Sequence, residues 1–263
     1  MDMDIQRLGL IDFLFKVVAQ SNAGDPEYSI ALFFLQNYSR IGQLNIYDVA
    51  EECFVSRSSV RRFCAQIGCE NFQELKRKFK DFDFRYNYFM QIQEKEGYRQ
   101  WYADEIMATI KEVDEMISQK DLEEIAIHIY ESRKVIFLSS YSSAQCVAEF
   151  QRPLVLLNKV VYAMTENRFS EKELLACTDQ DMVFMVSTMG NFARKNLQIM
   201  ADCRAYKALL TTSHDPRFEE CFTDIYYLTR QDYSNIKSVQ GKYGTVYFFD
   251  ILYHVYLKKY SGK

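Results

Sequence analysis

The stretch from Ile46 to Lys78 constrains this chain most. Ile46, Val49 and Ala50 fall at i, i+3 and i+4, which predicts one apolar face of a short helix. Cys53-Phe54-Val55 is too short for anything but a turn. Ser56 then offers its hydroxyl to the free amides of a new helix. On that helix Val60, Phe63 and Ile67 recur at i, i+3 and i+7 on one side. Gly68 stands where a left-handed residue would end it. Asn71 with Glu74 predicts a capping box that opens a third helix.

The opposite side of the Ser56 helix carries the chemistry. Arg57 and Arg61 are one turn apart, Arg62 is adjacent, and Ser58 and Ser59 lie in the first turn. Arginine can bond guanine or phosphate through two N–H donors at once, and a helix N-terminus favours phosphate. A helix, a short turn and a helix of this polarity is the helix-turn-helix arrangement. A basic, solvated helix in an all-helical domain is the other reading of the same residues. Charge favours the first. Ser56 to Arg85 holds eight basic and four acidic residues, a net +4 in a chain of net −4, so the remainder carries −8. A basic head on an acidic body is the distribution expected of a DNA-binding protein.

The segment NIYDVAEECFVSRSSVRRFCAQIGCENFQELK, Asn45 to Lys76, resembles the helix-turn-helix of the RpiR-type bacterial transcriptional regulators. Val55, Ser56, Val60, Arg62, Phe63, Gly68, Phe72, Leu75 and Lys76 stand at matching places of that family's pattern. Ser59 replaces its usual threonine and Cys69 its usual aromatic residue. The resemblance implies a DNA interface of Ser56, Arg57, Ser58, Ser59, Arg61, Arg62 and Lys76. Arg57, Ser58, Ser59 and Arg61 are expected to face base edges or nearby phosphates. Ser56, Arg62 and Lys76 are expected to hold the frame or the phosphate backbone.

Other classes find less support. The seven cysteines are scattered without a C-x-x-C pair, which reads as reduced thiols in a cytoplasmic protein. None of the three histidines has metal-ligand spacing, so no metal and no cofactor is expected. The first residues are acidic, unlike a signal peptide, and no apolar run reaches membrane-spanning length.

Along the chain, Ile5 to Ala19 reads as an amphipathic helix with Ile5, Leu8, Phe13 and Val17 inward. Pro26 suits a helix start. Tyr28 to Tyr38 reads as the central buried helix of the head, and Ile41-Gly42-Gln43 as a loop. Phe72, Leu75, Phe79 and Phe82 share a helix face and read as core. Residues 83–105 are polar and tyrosine-rich, a connector whose Tyr98, Trp101 and Tyr102 suit interdomain or subunit packing. The expected division is therefore 1–82, 83–105 and 106–263.

After two amphipathic helices, Ile106 to Ile117 and Asp121 to Glu131, short apolar runs alternate with helical stretches. The runs are 135–139, 160–164, 182–187, 208–212 and 225–228; the helices are 145–157, 171–177, 191–206 and 216–221. This predicts a five-stranded parallel sheet flanked by helices, with ligands at the carboxyl ends of the strands. Two strand ends are hydroxyl-rich: Ser139, Ser140, Ser142 and Ser143 after the first, and Ser187, Thr188, Gly190 and Asn191 after the third. Hydroxyls and amides at a helix start can hold a phosphate, although serine and glycine are common in ordinary loops. His214-Asp215 reads as a turn before Pro216, and Glu149 and His254 as structural. A final helix, Val246 to Leu257, is apolar on nearly all sides and reads as buried.

From about Glu105 onward the chain resembles the SIS (sugar isomerase) domain, a phosphosugar-binding α/β fold. VSTMGNFARKN matches the frame of its third-strand loop, with Ser187 at the first hydroxyl and Gly190 at the glycine. Met189 and Phe192 replace its second serine and its threonine, and the first-strand loop lacks both family glycines. The fold class expected is therefore an all-α helix-turn-helix domain plus an SIS-like α/β domain. The function expected is a non-enzymatic, sequence-specific regulator of sugar or amino-sugar metabolism. It binds double-stranded DNA as a homodimer or homotetramer and senses a phosphosugar at the two hydroxyl-rich loops. The alternative is an SIS-like domain that keeps only dimerisation or partner binding; a sugar-phosphate isomerase is third.

Overall fold

The computed structural model describes residues 5–67, 69–78, 96–140, 143–165, 170–234 and 238–261. The chain divides into two compact units, Met1–Tyr98 and Arg99–Lys263.

In the first unit α1 (Ile5–Gln20), α2 (Pro26–Gln36), α3 (Ile46–Glu52), α4 (Arg57–Gln66) and α5 (Phe72–Lys78) build an all-helical head. Pro26 sits at the first turn of α2, where its missing N–H costs nothing. Ile30, Ala31 and Phe34 of α2 are buried, and Phe34 is the hub. Its ring centre lies 5.8 Å from that of Phe63 and 6.2 Å from that of Phe72. Emptying a site like this by Phe→Ala typically costs about 3 to 5 kcal/mol. In α1 it is Leu14, next to the expected Phe13, that is fully buried; Phe13 and Val17 are half-buried against the same core. Ile41 to Gln43 is not an open loop. It belongs to a 3-10 turn, Tyr38–Gln43, that buries Ile41. The capping box expected at α5 is half made. Asn71 accepts from the Glu74 amide at 3.0 Å, but the Glu74 carboxylate accepts from the Glu70 amide at 2.6 Å.

The second unit opens with α6 (Tyr98–Met116) and α7 (Gln119–Glu131). Residues 98–105, read from sequence as connector, are thus helical. Tyr102 meets Tyr243 of the same unit, ring centres 6.0 Å apart. Then follow β1 (Lys134–Ser139), α8 (Ala144–Leu154), β2 (Val161–Thr165), α9 (Glu171–Leu175) and β3 (Asp181–Val186). After them come α10 (Asn191–Lys195), α11 (Leu197–Asp202), β4 (Tyr206–Thr211), β5 (Asp224–Tyr227) and α12 (Val239–Tyr260). The five strands form one parallel sheet, as the alternation predicted, and their order in it is β2-β1-β3-β4-β5.

The sheet is apolar on both faces because helices cover both. Side-chain alternation divides each central strand between two cores. Val135, Phe137, Met182 and Phe184 point to a layer with Ile125, Phe248 and Leu252. Ile136, Leu138, Val183 and Met185 point to one with Leu174, Phe192 and Met200.

Three further expectations change. The helix expected over 191–206 breaks into α10 and α11, and Tyr206 opens β4. The expected helix over 216–221 is one 3-10 turn, Pro216–Phe218. The last helix is longer than expected and is buried on one side only: Phe248, Phe249, Leu252, Tyr256 and Tyr260 are buried, while Lys242, Val246, Asp250, His254 and Lys258 are exposed. Gly68, Phe79, Phe82, most of the connector, Tyr141 and Ser142 lie outside the described residues.

Candidate functional sites

The head presents a basic helix with a built start. Ser56 has extended backbone, φ −75 and ψ 152, and its hydroxyl accepts from the Ser59 amide at 3.1 Å. The same oxygen lies 2.6 Å from the Ser58 hydroxyl and 3.0 Å from that of Ser59. Three of the seven expected interface residues are therefore one hydroxyl cluster at the mouth of α4. Val60, Phe63 and Cys64 turn inward, while Arg57, Ser58, Arg61 and Arg62 are exposed. Lys76 of α5 is half-buried.

Two features of the head have no local sequence signal. The Arg57 guanidinium carbon stands 4.8 Å from the centre of the Tyr47 ring, across the turn from α3 to α4. In the turn itself, Phe54 has φ 52 and is 96% exposed. Neither follows from periodicity, because one is a pairing between helices and the other sits in a position that glycine usually takes.

In the second unit β1 and β3 are neighbours whose connections leave in opposite directions along the sheet, the place where open α/β sheets leave a crevice. Both hydroxyl-rich loops start there. Ser139 pairs with Val186 in the sheet, and the Ser140 amide donates to the Val186 carbonyl at 3.3 Å. The hydroxyl groups are nonetheless not a surface row. Ser139, Ser143, Ser187 and Thr188 are all buried, and Ser140 and Asn191 half-buried. The Ser187 oxygen is engaged, accepting from the Ala193 amide at 3.1 Å. Gly190 turns the loop with φ 77.

Sequence reasoning passed over the side chain that dominates this place, Arg194. Its guanidinium donates to the Met189 carbonyl at 2.9 Å, the Asn191 side-chain oxygen at 2.5 Å and the Ser213 hydroxyl at 3.1 Å. It also lies 3.6 Å from the Asp215 carboxylate, which holds Arg217 at 2.5 Å. The Arg217 hydrogen bond, helped by the charge of Arg194, draws the Asp215 carboxyl down to about 2. A charged residue just after an apolar strand and a glycine was the signal available. The Ser213 hydroxyl lies 2.6 Å from that of Ser234, so the β4 loop joins the same network.

Of the titratable residues that the sequence gives a turn or structural role, Asp215 joins this network. Glu149 and His254 are exposed on their helices. The His214 ring stacks on Tyr227 and its Nε2 meets the Thr229 carbonyl at 2.8 Å. The seven cysteines are free thiols, and burial pushes Cys53 and Cys177 up to about 11 and Cys64 to about 12. Among the described residues no cluster of histidine, cysteine and carboxylates could hold a metal, and no helix is long and apolar enough to cross a membrane.

Residues 18–83 match the family model described as the helix-turn-helix domain of the rpiR family. A stretch of 70 residues is 36% identical to an uncharacterized HTH-type transcriptional regulator of Caldanaerobacter subterraneus subsp. tengcongensis, covering 26% of this chain and 25% of that relative's length. The structure is similar to that of the Vibrio vulnificus NanR protein complexed with ManNAc-6P, with a TM-score of 0.53 at 15% identity over 96% of this chain and 93% of that one. It is also similar to the sugar isomerase domain of an RpiR transcription factor from Sphaerobacter thermophilus, with a TM-score of 0.51 at 13% identity over 62% of this chain and 92% of that one.

Fold and comparisons define a helix-turn-helix protein whose second unit has the sugar isomerase fold. More particularly, residues 18–83 of its N-terminal unit are similar to the helix-turn-helix domain of the rpiR family.

Proposed function

We propose that this chain is a sequence-specific, DNA-binding transcriptional regulator of the cytoplasm rather than an isomerase. The carrying observation is the exposed Arg57–Arg61 face of a Ser56-capped helix within the rpiR-type head. On this reading Arg57, Ser58, Ser59 and Arg61 meet base edges, while Ser56, Arg62 and Lys76 hold the frame and the backbone phosphates. A homodimer or homotetramer would read a two-fold site with half-sites one helical turn or a multiple apart. The test is selection of bound genomic fragments at two salt concentrations. A shared near-palindrome kept at the higher salt, and lost in Arg57→Ala and Arg61→Ala proteins of unchanged melting temperature, supports the reading. Weak enrichment without a motif, vanishing as salt rises, sinks it.

The effector we propose is a phosphorylated sugar or amino sugar, bound between Ser139, Ser140, Ser142 and Ser143 on one side and Ser187, Thr188, Gly190 and Asn191 on the other. Support comes from the position of these loops at the reversal of strand order and from the similarity to the NanR protein complexed with ManNAc-6P. The buried hydroxyls and the Arg194 network favour a second reading, in which the domain has kept only dimerisation or partner binding. Thermal shift against a phosphosugar panel separates the two. Stabilisation by one member that Ser187→Ala abolishes supports the first, and no stabilisation by any member supports the second.

A further inference from the structure

Arg57 is the first residue of the helix that carries the exposed basic face, and an exposed arginine there has many side-chain conformations open to it. The structure limits them in an unusual way. Its guanidinium rests over the ring of Tyr47, 4.8 Å from the centre, although Tyr47 belongs to the preceding helix. The ring is 63% exposed, so it is not there to fill the core. The core of the head is made by Val49, Val60, Phe63 and their neighbours.

The choice of an aromatic anchor has an electrostatic consequence. A carboxylate would hold the guanidinium too, but it would cancel the charge and repel the phosphates of DNA. A ring face attracts the cation through its quadrupole and adds no negative charge. Asp48, the residue next to Tyr47, is turned instead to the start of α3, where it accepts from the Asn45 amide at 3.2 Å.

We propose that Tyr47 and Arg57 act as one reading unit, in which the ring holds the guanidinium ready for a two-donor bond to a guanine edge. Tyr47 is thus a positioning residue for base choice. The inference rests on the DNA-binding reading above and adds to it a residue outside the α4 helix.

The experiment is selection from randomised DNA with the full chain and four variants. Arg57→Ala identifies the base column that Arg57 reads, as the column where guanine preference collapses. Tyr47→Ala and Tyr47→Leu are expected to lower guanine preference in that same column about two- to fivefold, the range of an exposed cation–π contact. Tyr47→Phe, which keeps the ring, is expected to restore it. Because the side chain is exposed, all variants are expected to melt with wild type. The inference is overturned if Tyr47→Ala and Tyr47→Leu leave the column unchanged, or if they weaken every column alike and Tyr47→Phe does not rescue. It is also overturned if Arg57→Ala alters no column. Failure of wild type to select any sequence is a different result, and removes the DNA-binding reading itself.

Discussion

Gly190 and Ser213 approach so closely that no carbon fits between them. A Cβ on residue 190 would stand 2.6 Å from both the Cβ and the Oγ of Ser213, and the backbone there has φ 77. Glycine at this point is a requirement of two loops at once. Gly190→Ala meets a left-handed penalty of roughly 1 to 2 kcal/mol and an overpacking penalty of about 1 to 3 kcal/mol. Urea unfolding should show a loss within the sum of the two. Ser213→Gly relieves the contact but removes the hydroxyl that meets Arg194 and Ser234, so it should cost less on the Gly190→Ala background than on wild type; an equal cost on both refutes the account.

Asp215 makes the same neighbourhood sensitive to acid. Its carboxyl lies at about 2 in the fold, against an ordinary 3.8, chiefly through Arg217. A depressed carboxyl stabilises fully above its unfolded value and loses that contribution as pH falls through its folded one. The contribution, about 1 to 2 kcal/mol near neutrality, should therefore fade between about pH 4 and pH 2. Comparing the stability of wild type and Asp215→Asn across that window checks it; a gap that does not narrow on acidification counts against the pairing.

Ser187 supplies the acceptor for the Ala193 amide, and both residues are buried. Ser187→Ala strands that donor, at a cost of about 1 to 3 kcal/mol. Hydrogen exchange at Ala193 should accelerate in the variant even without added ligand. Unchanged protection would mean that another group takes the amide.

Phe54 carries a bulky side chain in the left-handed region while 96% of it faces solvent. Relief of that strain is worth roughly 1 to 2 kcal/mol, against roughly 0.5 to 1 kcal/mol for the extra freedom of an unfolded glycine. Phe54→Gly should thus raise the unfolding midpoint of the head slightly. A fall would show that the ring makes a stabilising contact.

What the sequence made legible and what it hid differ in kind. The Ser56 cap, the inward Val60 and Phe63 and the outward arginines follow from spacing on one helix, and spacing survives folding. The five strands and their parallel pairing were legible because buried strands between helical layers are continuous apolar runs, while their order in the sheet was not. Strand ends were less so, since Tyr206 is aromatic enough to suit either the helix before β4 or the strand itself. Arg194 on Ser213 and Arg57 on Tyr47 were hidden because each joins residues on different elements, and no local period records such a meeting. The Glu74 carboxylate was misplaced by one amide for a smaller reason: the Glu70 N–H lies within its reach.

The carbonyl of Thr188 accepts from the amide of Thr212 at 2.9 Å and from its hydroxyl at 2.7 Å, and the Thr212 carbonyl accepts in turn from the Tyr233 amide at 3.0 Å. The loop after β3 is therefore riveted to the loop after β4, and that loop to the segment beyond β5. Lifting the first alone would leave buried donors with nothing to bond. The three segments thus share one chain of hydrogen bonds, and moving any one of them means breaking a bond or carrying its neighbour along.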